Sequence, residues 1–273
     1  INSPGAYFVF LEAGPPATIG EAFSLSLALG GETESTLESG ESTEPRAAHT
    51  DDVYVESFYV GEGITGAGFV STMNMETRIY NANGSVVCGW QPCILTNLQP
   101  GSYFAVMRVS DDQWMPTVNA SLALAGPNEA TLVSGQTKPL SVTFNGQSLI
   151  ESFYAAPGVD SVALAVKGSN NWVSIIGPQG SEVVGCDTSS PCIARLNSPG
   201  VYFVHLDYNS GVTSGEQYSI AMALGGENHS TLKADTIQPV KPATLDATFV
   251  QSFYRTSLES FTGFAGSRNT ISR

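Results

Sequence analysis

In "AFSLSLALGG" the apolar residues Phe23, Leu25, Leu27 and Leu29 alternate with Ser24, Ser26 and Ala28. A period of two predicts a half-buried β-strand, with one face toward a core and one toward solvent. The alternation returns at Val118, Ala120, Leu122, Leu124 and again at Tyr218, Ile220, Met222, Leu224. A second predicted strand opens "SPGAYFVF", "QPGSYFAV" and "SPGVYFVH". Pro fixes φ and Gly admits a positive φ, so this turn sets where the strand begins. Tyr202, Val204 and Leu206 then share one face, and Phe203, His205 and Asp207 the other. A phenylalanine recurs on the nominally outer face, at Phe8, Phe104 and Phe203. An apolar residue repeated there needs a cover from linker, neighbouring domain or another chain, so the three form a candidate assembly patch. Tyr103 and Tyr202 are expected to be buried.

These strands belong to a long repeat. The turn glycines fall at 5, 101 and 200, the phenylalanines of "ESFY" or "QSFY" at 58, 153 and 253, and a leucine after the alternating strand at 37, 132 and 232. Three markers in one order, at a spacing of a whole domain, establish the repetition. Two units are complete, 53–127 and 148–226. Residues 1–31 correspond to the C-terminal half of a unit and 248–273 to the N-terminal half of another. The stretches 32–52, 128–147 and 227–247 are polar and read as extended linkers, although Leu37, Leu132 and Leu232 in register predict that part of each packs as a strand. The expected fold is all-β: tandem β-sandwiches, jelly-roll or Ig-like, joined by extended linkers. The half units at the ends suggest either a window of a longer repeat protein or a head completed by the tail of another copy.

Composition supports that class. Only 13% of the 273 residues are charged, and no 3.6-residue apolar period appears. The net charge is −14 with 11 Lys and Arg, which repels a phosphate backbone and excludes nucleic acid as a partner. An acidic surface leaves cation binding open. No apolar run is long enough to form a membrane-spanning helix.

The cysteines fall in pairs at equivalent places, Cys88 with Cys93 and Cys186 with Cys192. Each pair reads as a disulfide closing a hairpin loop; the other reading, half of a metal site, lacks two further ligands, since His205 and His229 lie far along the chain. Disulfides imply an oxidising compartment, extracellular or at the cell surface. Asn83, Asn119 and Asn228 head N-x-S triplets and are candidate glycosylation acceptors.

From "SFYAAPGVDSVALAVKGSNNWVSIIGPQGSEVV" through "LNSPGVYFVHLDYNSGVTSGEQYSIAMAL" the chain resembles the bacterial pre-peptidase C-terminal domain. That is a small β-sandwich often appended to secreted peptidases. The shared pattern is an aromatic opening strand, a turn such as "GPQG" or "NANG", a G-x-Y turn and strand, and a closing strand. The resemblance implies a non-catalytic role in secretion, stability or attachment. Some relatives bind calcium through acidic residues near the domain start, where this chain has Asp51, Asp52 and Glu56; the third unit lacks them.

No catalytic constellation emerges. His49, His205 and His229 are not shared between units, and His205 with Asp207 on one strand does not make a triad. No catalytic or metal-ligating residue is assigned, and Asp51/Asp52 and Asp111/Asp112 read as solvated turn acids. Two functional classes are open. One is a structural protein, self-associating into a fibre, sheath or surface layer through the repeated phenylalanine. The other is a secreted binding or accessory module for polysaccharide or protein. A glycan binder needs an aromatic platform, and Trp90, Trp114 and Trp172 occupy non-equivalent positions.

Overall fold

A computed structural model describes residues 25–43, 46–47, 52–72, 75–109, 117–143, 146–168, 172–207, 215, 217–232 and 248–254. Among these there is no helix. The first complete unit contains β1 (Glu41–Ser42), β2 (Arg46–Ala47), β3 (Val53–Val60), β4 (Gly66–Ser71), β5 (Met75–Asn81), β6 (Val86–Cys88), β7 (Cys93–Thr96), β8 (Gly101–Val109), β9 (Thr117–Val118) and β10 (Ala120–Ala125). The second contains β11 (Thr137–Ser141), β12 (Leu149–Ala155), β13 (Val159–Lys167), β14 (Trp172–Ile176), β15 (Glu182–Asp187), β16 (Cys192–Arg195), β17 (Gly200–Asp207) and β18 (Gln217–Gly226).

Each unit is two four-stranded antiparallel sheets. In the first the orders are β1-β10-β4-β7 and β3-β8-β5-β6; in the second they are β11-β18-β13-β16 and β12-β17-β14-β15. Strand for strand the two units match. Numbered within a unit, the sheets run 1-8-3-6 and 2-7-4-5, the connectivity of a jelly roll. A short β2–β9 ladder is added in the first unit.

The sequence explains each core. Alternating residues of β10 and β18 point inward, so Leu122 and Leu124, or Ile220 and Met222, meet the facing sheet. Both Tyr103 and Tyr202 are buried as expected, stacked on Phe58 and Phe153 with ring centroids 5.5 and 5.2 Å apart. Their hydroxyls donate to the carbonyls of Gln99 and Ser198, at 3.0 and 2.7 Å. That bond ties the turn to the strand it launches. Gly101 and Gly200 have φ of +141°, a conformation that a side chain would strain.

The stretches read as linkers are partly structured. β1 pairs with β10, and β11 with β18 through five residues. Leu37 and Leu132 are buried in the cores of the units that follow them. An extended tether is therefore replaced by a first strand of each sandwich. The reason lies in a few apolar residues, Leu37 in the first stretch and Leu132, Leu140 and Val142 in the second, whose burial orders their polar neighbours. Residues 1–24, with Phe8, and 255–273 lie outside the described residues.

Candidate functional site

No polar constellation recurs as a reaction centre in both units, but a joint between units does. The serine of each "SFY" sits on the outer face of β3 or β12. Ser57 Oγ donates to the Leu29 carbonyl and Ser152 Oγ to the Leu124 carbonyl, the latter at 2.7 Å. Ser252 repeats the bond with the Leu224 carbonyl. Leu124 and Leu224 lie on the closing strands β10 and β18 of the preceding units, and Leu29 holds the equivalent sequence position in a segment without strand pairing. The same serines bind the segment that crosses between units: the backbone N–H of Ser57, Ser152 and Ser252 donates to the hydroxyl of Thr36, Thr131 and Thr231, each at 2.7 Å. Leu37, Leu132 and Leu232 then donate their N–H to those serines' carbonyls. Bare edges of β3 and β12 are covered in this way. Each Thr–Ser pair is 21 residues apart, so the clamp had a readable sequence signal in its constant spacing.

Around the clamp, the two complete units bury an apolar seam. Val70 of β4 and Ala123 and Ala125 of β10 meet Ile150 of β12, Ile176 of β14, and Val201 and Phe203 of β17, with Ile94 of β7 at the margin. Phe203 is fully buried there and lies outside the core of its own sandwich. The approach depends on two glycines: a Cβ on Gly68 would stand 2.6 Å from Phe203 and 2.5 Å from Ile150, and one on Gly66 2.6 Å from Val201. Phe104 occupies the equivalent place in the first unit. It is half-buried, and a Cβ on Gly30 would come within 2.6 Å of its ring. Thus Phe203 is covered by the preceding unit, and Phe104 is approached by the segment around Gly30.

A buried carboxylate precedes the clamp serine in each unit. Glu56 pairs with Arg46 at 2.9 Å, and Glu151 with Lys138 at 2.6 Å. Burial pushes the Glu151 carboxyl above the usual carboxylate range, and the adjacent Lys138 ammonium opposes that rise. On the other side a cleft of about 320 Å³ opens between units, walled by Ser71, Thr72, Met75 and Gln91 from the first and by His205 and Asp207 from the second. Gln91 is held by Ser71 and Thr77. His205, read from sequence as a surface residue, is half-buried; its desolvation holds the imidazole below the ordinary histidine pKa, with Asp207 opposing.

The other residues singled out by sequence fall as follows. Disulfides join Cys88 to Cys93 and Cys186 to Cys192, with Cα atoms 5.9 and 5.8 Å apart. Asn83 and Asn228 are exposed, whereas Asn119 is buried and its amide donates to the Thr43 carbonyl. The folded chain therefore presents no acceptor at Asn119. Glu56 pairs with Arg46 and Asp52 accepts from the Tyr54 hydroxyl; Asp51, Asp111, Asp112, His49 and Trp114 lie outside the described residues. Among the described residues no group of three or more His, Cys, Asp or Glu converges on a metal position, and no helix is long and apolar enough to cross a membrane. His229 Nε2 stands 3.2 Å from the Pro157 carbonyl, 72 residues away in sequence.

The geometry defines a class: tandem jelly-roll β-sandwiches docked in series. No known protein-family description matches the chain, and no curated protein matches it. Among solved structures it is similar to the secreted serine protease VesC from Vibrio cholerae, at 8% identity over 67% of this chain and 50% of that one, with a TM-score of 0.28. It is also similar to tandem CBM51 modules of a family 98 glycoside hydrolase from Streptococcus pneumoniae, at 9% identity over 64% of this chain and 82% of that one, TM-score 0.22. The CUB1-EGF-CUB2 segment of human MASP-1/3 matches at 12% identity over 65% and 95%, TM-score 0.21. The chain spans half the length of VesC. Similarity at this level bears on neither family nor function.

Proposed function

We propose that this chain is a non-catalytic structural segment of an extracellular fibre, sheath or surface layer, built from jelly-roll units stacked head to tail through one repeated joint. The observation that carries the reading is that the joint is heterologous. The outgoing face of the first unit, β10-β4-β7, docks on the incoming face of the second, β12-β17-β14. Different patches on the two partners do not close a ring by themselves and propagate a row. The second unit carries an equivalent outgoing face, and there Ile193, the counterpart of Ile94, is 70% exposed. At the other end Leu25, Leu27 and Leu29, counterparts of core residues Ala120, Leu122 and Leu124, are exposed, as is Phe253, counterpart of core residue Phe153. Further units, or a second copy, would cover these positions. A non-catalytic role agrees with Ser174, which lies across from His205 yet donates its hydroxyl to Glu182. The likeness to pre-peptidase C-terminal domains and the two disulfides support a secreted setting.

The test is self-association of the purified chain, followed by light scattering against concentration and by electron microscopy. Rows with an axial repeat of sandwich units are expected, and Ile193→Arg, on a face that needs no packing for folding, should shorten or abolish them. A chain that stays monomeric at high concentration in both forms defeats the reading. The second reading, a secreted binding module, is favoured by one feature, the cleft beside the joint.

A further inference from the structure

We infer that the cleft between the two complete units, with the adjoining outer face of β14 and β15, is a binding site for an uncharged polysaccharide chain, and that Trp172 is its stacking platform. The inference takes from the stacking reading only the fixed joint, since the cleft exists because two units are held in one orientation. Its walls come from both: Ser71, Thr72 and Gln91 on one side, His205 and Asp207 on the other. Strand pairing extends the second wall outward. β17 pairs with β14 so that Asp207 lies opposite Trp172 and His205 opposite Ser174, and β15 places Asp187 opposite Trp172 and Gly185 opposite Ser174.

Trp172 opens β14 at the end of this sheet face, opposite the last residues of β15 and β17, and is 46% exposed. Its ring lies against Gly185: a Cβ at that glycine would come within 2.5 Å of Trp172 Cζ2. The indole Nε1 donates to Ser174 Oγ at 3.1 Å, and Ser174 Oγ donates to Glu182 Oε2 at 2.7 Å. These contacts restrain the ring, which packs on the glycine and keeps nearly half of its surface open to solvent. Holding an aromatic ring in one orientation before binding removes the cost of ordering it later. A second exposed tryptophan, Trp90 at 87%, immediately precedes Gln91 on the loop closed by Cys88 and Cys93. The non-equivalence of the two tryptophans in the repeat thus has a structural meaning, because one belongs to the loop that walls the cleft from the first unit and the other to the sheet that walls it from the second.

The surrounding polar groups select the ligand class. Asp207, Asp187 and Glu182 offer acceptors, while the residues lining the cleft include no Lys or Arg. A pyranose presents a flat face of C–H groups and a rim of hydroxyl donors, matching an indole ringed by carboxylates. A uronate or sulfated glycan would meet like charge there, on a chain whose net charge is already −14.

Affinity electrophoresis of the full chain through gels containing glucomannan, xylan or laminarin, with alginate and hyaluronate as polyanionic controls, tests the site. Retardation by at least one neutral polysaccharide and by neither polyanion is expected. Trp172→Ala should weaken it at least tenfold, and Asp207→Asn, which keeps the side-chain shape and removes the charge, severalfold; an unchanged circular dichroism spectrum shows that each variant is folded. Free mobility in all three neutral gels, or retardation that both variants retain in full, overturns the inference, as does stronger retardation by alginate. A chain that stacks without binding glycan refutes this site and leaves the stacking reading intact. One that binds glycan as a monomer does the reverse.

Discussion

The joint leading into the first complete unit and the joint leading into the second use the same hydrogen bonds and differ in what they bury. In both, the serine of "SFY" bonds back to a leucine carbonyl, and a further serine hydroxyl, Ser26 or Ser121, accepts from the N–H of Val55 or Ile150. Yet Phe104 stays half-buried at the first joint while Phe203 is fully buried at the second. The difference is the partner sheet: residues 25–31 are described without strand pairing, whereas β4, β7 and β10 form a continuous apolar floor. Local hydrogen bonds therefore assemble the joint wherever the short motif occurs. Apolar burial, which needs a whole sheet on each side, decides how tightly it holds.

Phe203→Ala should break this comparison most strongly. Loss of a fully buried ring costs about 3–5 kcal/mol, here taken from the contact between units, so calorimetry should show one transition splitting into two. Phe104→Ala, at the half-covered position, should cost less than half as much. Gly68→Val comes next, because its new side chain would collide with Ile150 and Phe203; overpacking of this kind costs about 1–3 kcal/mol. The equivalent position in the second unit is already Ala163, where the same change to Val should be nearly silent in a melting curve. Replacing both Cys186 and Cys192 by Ser should cost the second unit about 2 kcal/mol in the chain-entropy model and leave the seam between units unaltered, as hydrogen exchange at Ile150 and Phe203 would report. Ser152→Ala removes the bond to the Leu124 carbonyl and should loosen the joint by about 1 kcal/mol, against a smaller effect for Ser57→Ala.

The smallest effect concerns pH. A depressed His205 pKa means that the unfolded chain takes up this proton first. Its contribution to stability is complete above the unfolded value of about 6.5 and is lost as pH falls from there through the lower folded value. Glu151 opposes this trend, because a raised carboxyl pKa favours the folded state when protonated. Comparing the melting temperature of the chain with that of His205→Gln between pH 7.5 and 5 isolates the histidine; the variant should show the shallower decline on acidification.

Much of this architecture could be read from the sequence, and the reasons are specific. Alternation at Leu122, Leu124, Ile220 and Met222 marks strands because burial on one sheet face leaves a period of two. The Pro-Gly turns marked strand starts, and the recurring outer phenylalanine marked a surface in need of a cover. What the sequence did not reveal was the identity of that cover. Gly66 and Gly68 are informative only once β4 is known to lie under Phe203, a pairing across more than a hundred residues. Likewise Trp90 and Trp172 looked unrelated because repeat alignment compares equivalent places, whereas the cleft joins non-equivalent ones. In the polar stretches the leucines in register, Leu37 and Leu132, were the legible part, and both are buried; Leu140 and Val142 carried too little periodic signal in a polar run to mark β11.

The clamp at Ser152 also determines how the molecule would bear load. Chain leaving β10 passes through the turn 126–131 and is at once fixed to β12 at Thr131 and Leu132. There is no slack between the sandwiches to absorb tension. A pull along the chain reaches this short set of hydrogen bonds before it reaches either core, where eight strands share it. Stretched in an optical trap, the pair of units should yield first at the joint, giving a brief lengthening at low force, and only later at the sandwiches. Such a graded response would let the linked units extend and recover, since neither core has opened.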